Sequence, residues 1–130
     1  MANKILIIDD DTELIEALKL RLQEDQYEVI TATSGQRGLE RFDAERPDLI
    51  ILDISMPKMD GYTFIKIFKG KYSISEVPIL VLTGKSGMQE TFALEGVRGY
   101  LTKPCDPEEL IAKVKSSLSH APSKSESQES

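Results

Sequence analysis

Three aspartates, Asp9, Asp10 and Asp11, stand directly behind the apolar run Ile5–Ile8, and Asp53 stands directly behind a second run, Leu49–Leu52. Buried apolar strands rarely deliver negative charge to one point, so the first question is what these acids do. Two carboxylates about 5 Å apart repel by about 3 kcal/mol at an effective dielectric near 20. Three of them need a compensating charge. A hard divalent cation with oxygen ligands supplies it, and Mg2+ suits a site that also handles phosphate. Two other apolar runs end in matching residues. Thr83 follows Ile79–Leu82 and offers a hydroxyl, while Lys103 follows "YLT" and adds a mobile positive charge on its own stem. A plainer reading has the aspartates capping the next helix. It suits Asp11, one residue before that helix, and competes for Asp9 and Asp10 taken alone. Asp53, Thr83 and Lys103 at matching strand ends weigh against it.

Such a cluster needs strands whose ends coincide. Short apolar runs predict strands over Lys4–Ile8, Tyr27–Ala32, Leu49–Leu52, Val77–Leu82 and Val97–Leu101. Between them lie amphipathic stretches. One runs from Thr12, its expected N-cap, to about Asp25 with Leu14, Ile15, Leu18 and Leu22 on one stripe. A second runs from a Ser34 cap to about Glu45, and a third from about Gly61 to Lys69, closed by Gly70. A weak helix is expected within 88–95. The last begins at Pro107 and repeats Leu110, Ile111, Val114 and Leu118 at helical spacing. Strands alternating with helices give a doubly wound, five-stranded parallel sheet of the α/β class, covered on both faces. Ligands of such sheets bind at the carboxyl ends of the strands. Neighbouring strands lie roughly 4.8 Å apart, so adjacency of the first and third would gather Asp9, Asp10 and Asp53 into one pocket.

Composition bounds the partners. The 130 residues, 40% hydrophobic and 29% charged, fit one soluble globular domain. The net charge of −6 repels phosphate backbones, so direct nucleic-acid binding is not expected. The apolar runs are too short to span a bilayer and no secretory leader is expected, so membrane association is not expected either. One cysteine, Cys105, cannot form an internal disulfide and fits a reducing, cytoplasmic setting. Its reading is that of a small buried hydrophobe. His120, the single histidine, is read as lying solvated past the last helix. The serine-rich segment "APSKSESQES" cannot bury enough to order itself. The expected organisation is therefore a domain over 1–119 and a disordered tail or truncated linker over 120–130.

Four stretches, "ILIIDDD", "LIILDISMPKMDGYTF", "ILVLTG" and "YLTKP", make residues 3 to 119 resemble the receiver domain of two-component response regulators, of the single-domain chemotaxis-regulator kind. The resemblance implies a flavodoxin-like (βα)5 fold with strand order 2-1-3-4-5. It implies that Asp53 is the phosphoacceptor, forming an aspartyl-phosphate from a phosphohistidine. Asp10 and Asp53 would ligate Mg2+ with the backbone carbonyl of Ser55, and Asp9 would hold the ion through a water. Lys103 would pair with the phosphoryl group and Thr83 would hydrogen-bond it, with Gly84 leaving room. The Lys103–Pro104 bond would be cis and would aim the lysine. Tyr100 would be the switch residue that follows Thr83, while Ser55 and Lys85 tune hydrolysis. Met56 and Pro57 would shape the loop over Asp53, and Asp60–Gly61 would turn it into the next helix. Residues 84–99 run a residue or two shorter than is usual in that family, with Gly87, Gly96 and Gly99, which suggests a short or shifted helix.

The implied function is a phosphorylation-activated switch in signal transduction, fed by a sensor histidine kinase or a histidine phosphotransfer protein in a phosphorelay. Its only chemistry would be phosphotransfer to its own aspartate and self-dephosphorylation, so it is not expected to be an enzyme. The output would be a downstream protein target, or a homodimer through the 88–95 helix, the fifth strand and the last helix. The alternative is a receiver-like scaffold that is never phosphorylated. The set Asp10, Asp53, Thr83 and Lys103 argues against that. A phosphohydrolase would want a second acid where Ser55 stands, and nucleotide binding would want glycines where the first turn has acids.

Overall fold

The computed structural model describes residues 3–54, 59, 61–73, 76–84 and 96–120. Ser55, Met56, Pro57, Asp60, Lys85, Gly87, the helix expected within 88–95 and the segment 121–130 lie outside the described residues.

Five strands, β1 (Lys4–Ile8), β2 (Glu28–Ala32), β3 (Leu49–Asp53), β4 (Ile79–Thr83) and β5 (Gly99–Thr102), form one sheet of order β2-β1-β3-β4-β5 with every pair parallel. The α/β class, the doubly wound arrangement and the 2-1-3-4-5 order are those expected from the sequence. β3 is buried at all five positions, which is why it reads as an unbroken apolar run. Side chains alternate across the sheet and divide the core in two. Leu6, Ile8, Ile50, Leu52 and Val81 pack with Phe42, Phe64 and Phe68 on one face. Ile5, Ile7, Ile51, Leu80, Leu82 and Leu101 pack on the other with Ile15, Leu18, Leu110 and Val114. The described helices are α1 (Thr12–Glu24), α2 (Gly35–Glu45), α3 (Gly61–Lys71) and α4 (Pro107–His120). Thus α2 and α3 cover the first face, and α1 and α4 the second.

Several boundaries differ from expectation for identifiable reasons. Asp11, not Thr12, is the N-cap of α1: its carboxylate accepts from the Leu14 backbone N–H at 3.2 Å. Gly70 does not close α3, which continues to Lys71; Phe64, Ile65 and Phe68 anchor its buried face, and that packing outweighs the glycine penalty. His120 is the last residue of α4 rather than a residue beyond it. Ser34 caps α2 as expected, accepting from the Arg37 N–H at 3.2 Å.

The entry into α3 is sterically constrained. The Gly61 N–H donates to the Ile54 carbonyl at 3.0 Å, and a Cβ on Gly61 would stand 2.8 Å from the Ile54 Cα. Backbone, not a yielding side chain, fills that space. Gly61→Ala is therefore expected to lower unfolding free energy by about 1–3 kcal/mol in urea denaturation, by shifting the backbone next to Asp53.

Candidate functional site

The acids converge because β1 and β3 are neighbours in fixed register, with Ile8 opposite Leu52, so both strands reach the same sheet edge. Asp9 continues β1 by one residue, its N–H donating to the Ala32 carbonyl at 3.1 Å. That places its carboxylate inside, 1% exposed. Asp53 closes β3 opposite Leu82 and is 3% exposed. Asp10 is exposed, yet one carboxylate oxygen from each of Asp9, Asp10 and Asp53 lies within 4.8 Å of the others.

Lys103 meets them from the far side of the sheet. β5 runs parallel to β4 with Thr102 opposite Thr83, which puts Lys103 just past the same edge. Its Nζ lies 3.0 Å from Asp9 Oδ2 and 3.6 Å from Asp53 Oδ1. The Lys103–Pro104 peptide bond is cis. Beyond it, Asp106 accepts the Glu108 N–H at 3.1 Å and starts α4. Arg21 on α1 fixes that end through three hydrogen bonds to the Glu108 carboxylate, at 2.8, 3.0 and 3.1 Å.

Electrostatics divides the two Asp9 oxygens. Oδ1 accepts the Asp11 backbone N–H at 2.9 Å. Oδ2 is ion-paired to Lys103 at 3.0 Å and accepts no hydrogen bond among the described residues. Burial pushes the Asp9 carboxyl above its ordinary pKa; the Asp11 N–H and Lys103 oppose this, and the Asp53 charge adds to it. Burial alone would lower Lys103, but its contacts with Asp9 and Asp53 outweigh that and hold the ammonium above its ordinary value.

The structure thus gathers Asp9, Asp10, Asp53 and Lys103 at one point. Thr83 ends β4 at the same edge, and a Cβ on Gly84 would meet no heavy atom of the described residues within 4 Å. Tyr100 sits one strand away, opposite Val81, half-buried against the core face that α2 and α3 cover. Cys105 packs against the other core face, and burial raises its thiol pKa, as a small hydrophobe requires. Sequence reasoning missed two supports. The Asp11 N–H that orients Asp9 leaves no sequence signal beyond a third aspartate. The close approach of Gly61 to Ile54 was signalled only by an Asp-Gly pair, read as a turn.

Three carboxylates with one buried oxygen lacking a hydrogen bond fit a hard divalent cation with oxygen ligands. A carboxylate-lined sheet edge, with a lysine beside a buried aspartate, is a site suited to phosphoryl chemistry at the carboxyl ends of a doubly wound sheet. The comparisons agree. Residues 5–115 match the family described as the response regulator receiver domain. The alkaline phosphatase synthesis transcriptional regulatory protein PhoP of Bacillus subtilis is 38% identical over 120 residues, covering 91% of this chain and 49% of that protein. Among solved structures, chemotaxis response regulator CheY4 of Vibrio cholerae is 31% identical with a TM-score of 0.83, covering 89% of this chain and 98% of that one. A two-component response regulator from Clostridium difficile is 30% identical with a TM-score of 0.85, covering 93% and 99%. The chain belongs to the response regulator receiver domain family. It spans about half the length of the curated relatives it matches, 49% of PhoP. Receiver domains are switches of two-component signalling that generally take their signal from histidine kinases and bind Mg2+ at an acidic pocket, and Asp9, Asp10 and Asp53 form an acidic cluster here. No helix among the described residues is long and apolar enough to cross a membrane.

Removing the lysine leaves two buried carboxylates facing each other. Lys103→Met is expected to lower unfolding free energy by on the order of 3 kcal/mol at neutral pH in chelator, measured by urea denaturation. The loss should shrink on acidification, because Asp9 is already raised and takes up a proton.

Proposed function

We propose that this chain is a phosphorylation-activated receiver whose Asp53 accepts a phosphoryl group from a sensor histidine kinase or a histidine phosphotransfer protein. One observation carries the reading: Asp53 is buried, with the Lys103 ammonium 3.6 Å from its Oδ1 and two further carboxylates alongside. A carboxylate oxygen of Asp53 attacks phosphorus, the P–N bond to the donor imidazole breaks, and its electron pair leaves with the imidazole. Lys103, now shared between Asp9 and Asp53, moves onto the phosphoryl oxygens. The Thr83 hydroxyl hydrogen-bonds another of them, and Gly84 admits the group. Asp9, Asp10, Asp53 and the Ser55 carbonyl would hold Mg2+, which when bound offsets charge on the transferring phosphoryl oxygens.

The phosphoryl group then draws Thr83 toward it, and Tyr100 rotates into the space behind. That changes a docking surface read by a downstream protein or by a second copy through 88–95, β5 and α4. Ser55 and Lys85 occupy the positions that tune hydrolysis of the aspartyl-phosphate. Residues 1–119 form the switch, 120–130 a tail or linker, and the setting is the cytoplasm. No chemistry on an outside substrate is proposed beyond phosphotransfer and self-dephosphorylation.

Intact mass after incubation with acetyl phosphate tests this. Wild type should gain one labile phosphoryl group in Mg2+ and none in chelator, and Asp53→Asn should gain none. No gain in wild type with acetyl phosphate or a phosphohistidine donor would favour a receiver-like scaffold instead.

A further inference from the structure

The segment leading from β2 into α2 touches the supports of the acidic cluster at three points. The Ala32 carbonyl accepts the Asp9 backbone N–H at 3.1 Å. Gly38 lies against the residue before Asp9: a Cβ there would stand 2.5 Å from Ile8 Cδ1 and 2.9 Å from Ile8 Cγ1. Gly35, the first residue of α2, lies against Met59, where a Cβ would stand 2.7 Å from Sδ, 3.0 Å from Cγ and 3.2 Å from Cβ. The last of these distances decides the case. A thioether end can swing aside, but the Met59 Cβ moves only with its own backbone. Gly35 is buried, and Met59 is half-buried against the core face that α2 and α3 cover.

Met59 belongs to the stretch that connects Asp53 to α3. The Gly61 N–H joins the two ends of that stretch by donating to the Ile54 carbonyl at 3.0 Å. A connection held only at its neck keeps conformational freedom, and one side chain seated on a neighbouring helix removes much of it. Ser55, whose carbonyl the proposed cation site uses, lies in the same stretch.

We infer that Gly35 and Met59 are positioning residues for the cation site. Met59, seated on the first turn of α2, holds the stretch between Ile54 and Gly61 in register with Asp9 and Asp53, and the missing Cβ of Gly35 is what makes the seat. Ala32 and Gly38 fix Asp9 from the same segment, so both buried acids take their spacing from one element. The inference rests on the cation site of the proposed receiver and adds what sets its geometry. Mg2+ demands near-ideal octahedral ligand placement, so its affinity falls when that spacing loosens.

The test is the Mg2+ dissociation constant of the unphosphorylated full chain, read from the amide shifts of Asp9, Asp10 and Asp11. Gly35→Ala should weaken Mg2+ binding about fivefold by expelling Met59. Met59→Ala, which adds no bulk and reads the same seat should Gly35→Ala not fold, should weaken it by about the same factor. Met59→Leu, which refills the seat, should cost less than about twofold. The Gly35→Ala/Met59→Ala pair should bind like either single variant, because each already empties the seat. Phe42→Leu loosens the buried face of α2 two turns further on, away from Met59, and should leave the constant within about twofold of wild type. Wild-type affinity in either Gly35→Ala or Met59→Ala overturns the inference. So does an equal loss in Phe42→Leu, or a double variant whose loss is the product of the two single ones. Acetyl phosphate labelling separates the two readings. A wild type that binds Mg2+ but gains no phosphoryl group contradicts the switch alone, whereas equal Mg2+ constants with normal labelling contradict the seat alone.

Discussion

Two carboxylates buried at the ends of apolar strands, with one ammonium between them, set the terms for this structure. Asp9 and Asp53 are 1% and 3% exposed, and Lys103 is within 3.0 and 3.6 Å of them. Burying charge this completely is unfavourable unless it is paired and hydrogen-bonded. Here the pairing is incomplete: two full negative charges share one positive one, Asp10 adds a third at the rim, and Asp9 Oδ2 accepts no hydrogen bond among the described residues. The site therefore carries an excess of negative charge that a divalent cation relieves.

Everything else holds that arrangement in place. Parallel pairing of β1 with β3 and of β4 with β5 brings four strand ends level. Neither core face can yield, because the strands are packed on both sides by large side chains such as Phe64, Phe68, Leu110 and Val114. Gly61 lets the chain turn tightly behind Asp53, and the Arg21–Glu108 pair holds the start of α4 just beyond Lys103. The acidic edge thus sits on a stiff framework, and Tyr100 is half-buried against one core face of it.

What the sequence revealed follows from the range of the forces involved. The acids were legible because unbroken runs such as Ile5–Ile8 and Leu49–Leu52 belong to strands buried on both faces, so the residue after each run marks a strand end. Strand order was not contained in those runs and came with the family resemblance. Local competition defeated the helix boundaries. Thr12 and Asp11 are both capable caps, and only backbone geometry chose Asp11. Gly70 looked like a stop, but tertiary packing of Phe68 carried α3 past it. Long-range pairings such as Lys103 with Asp9, or Arg21 with Glu108 across 87 residues, left no periodic trace. The seat of Met59 on Gly35 was equally hidden, since no local pattern pairs the two.

The most direct measurement is equilibrium unfolding of wild type and Asp53→Asn, first in chelator and then across a Mg2+ titration. Excess negative charge makes the metal-free variant the more stable protein. Cation binding then raises wild type above it, with about 2.7 kcal/mol gained at 100 times the dissociation constant. Crossing stability curves are the expected result. A wild type already more stable in chelator, or one that Mg2+ leaves unchanged, would contradict the claim that unbalanced carboxylates at these strand ends form a cation site.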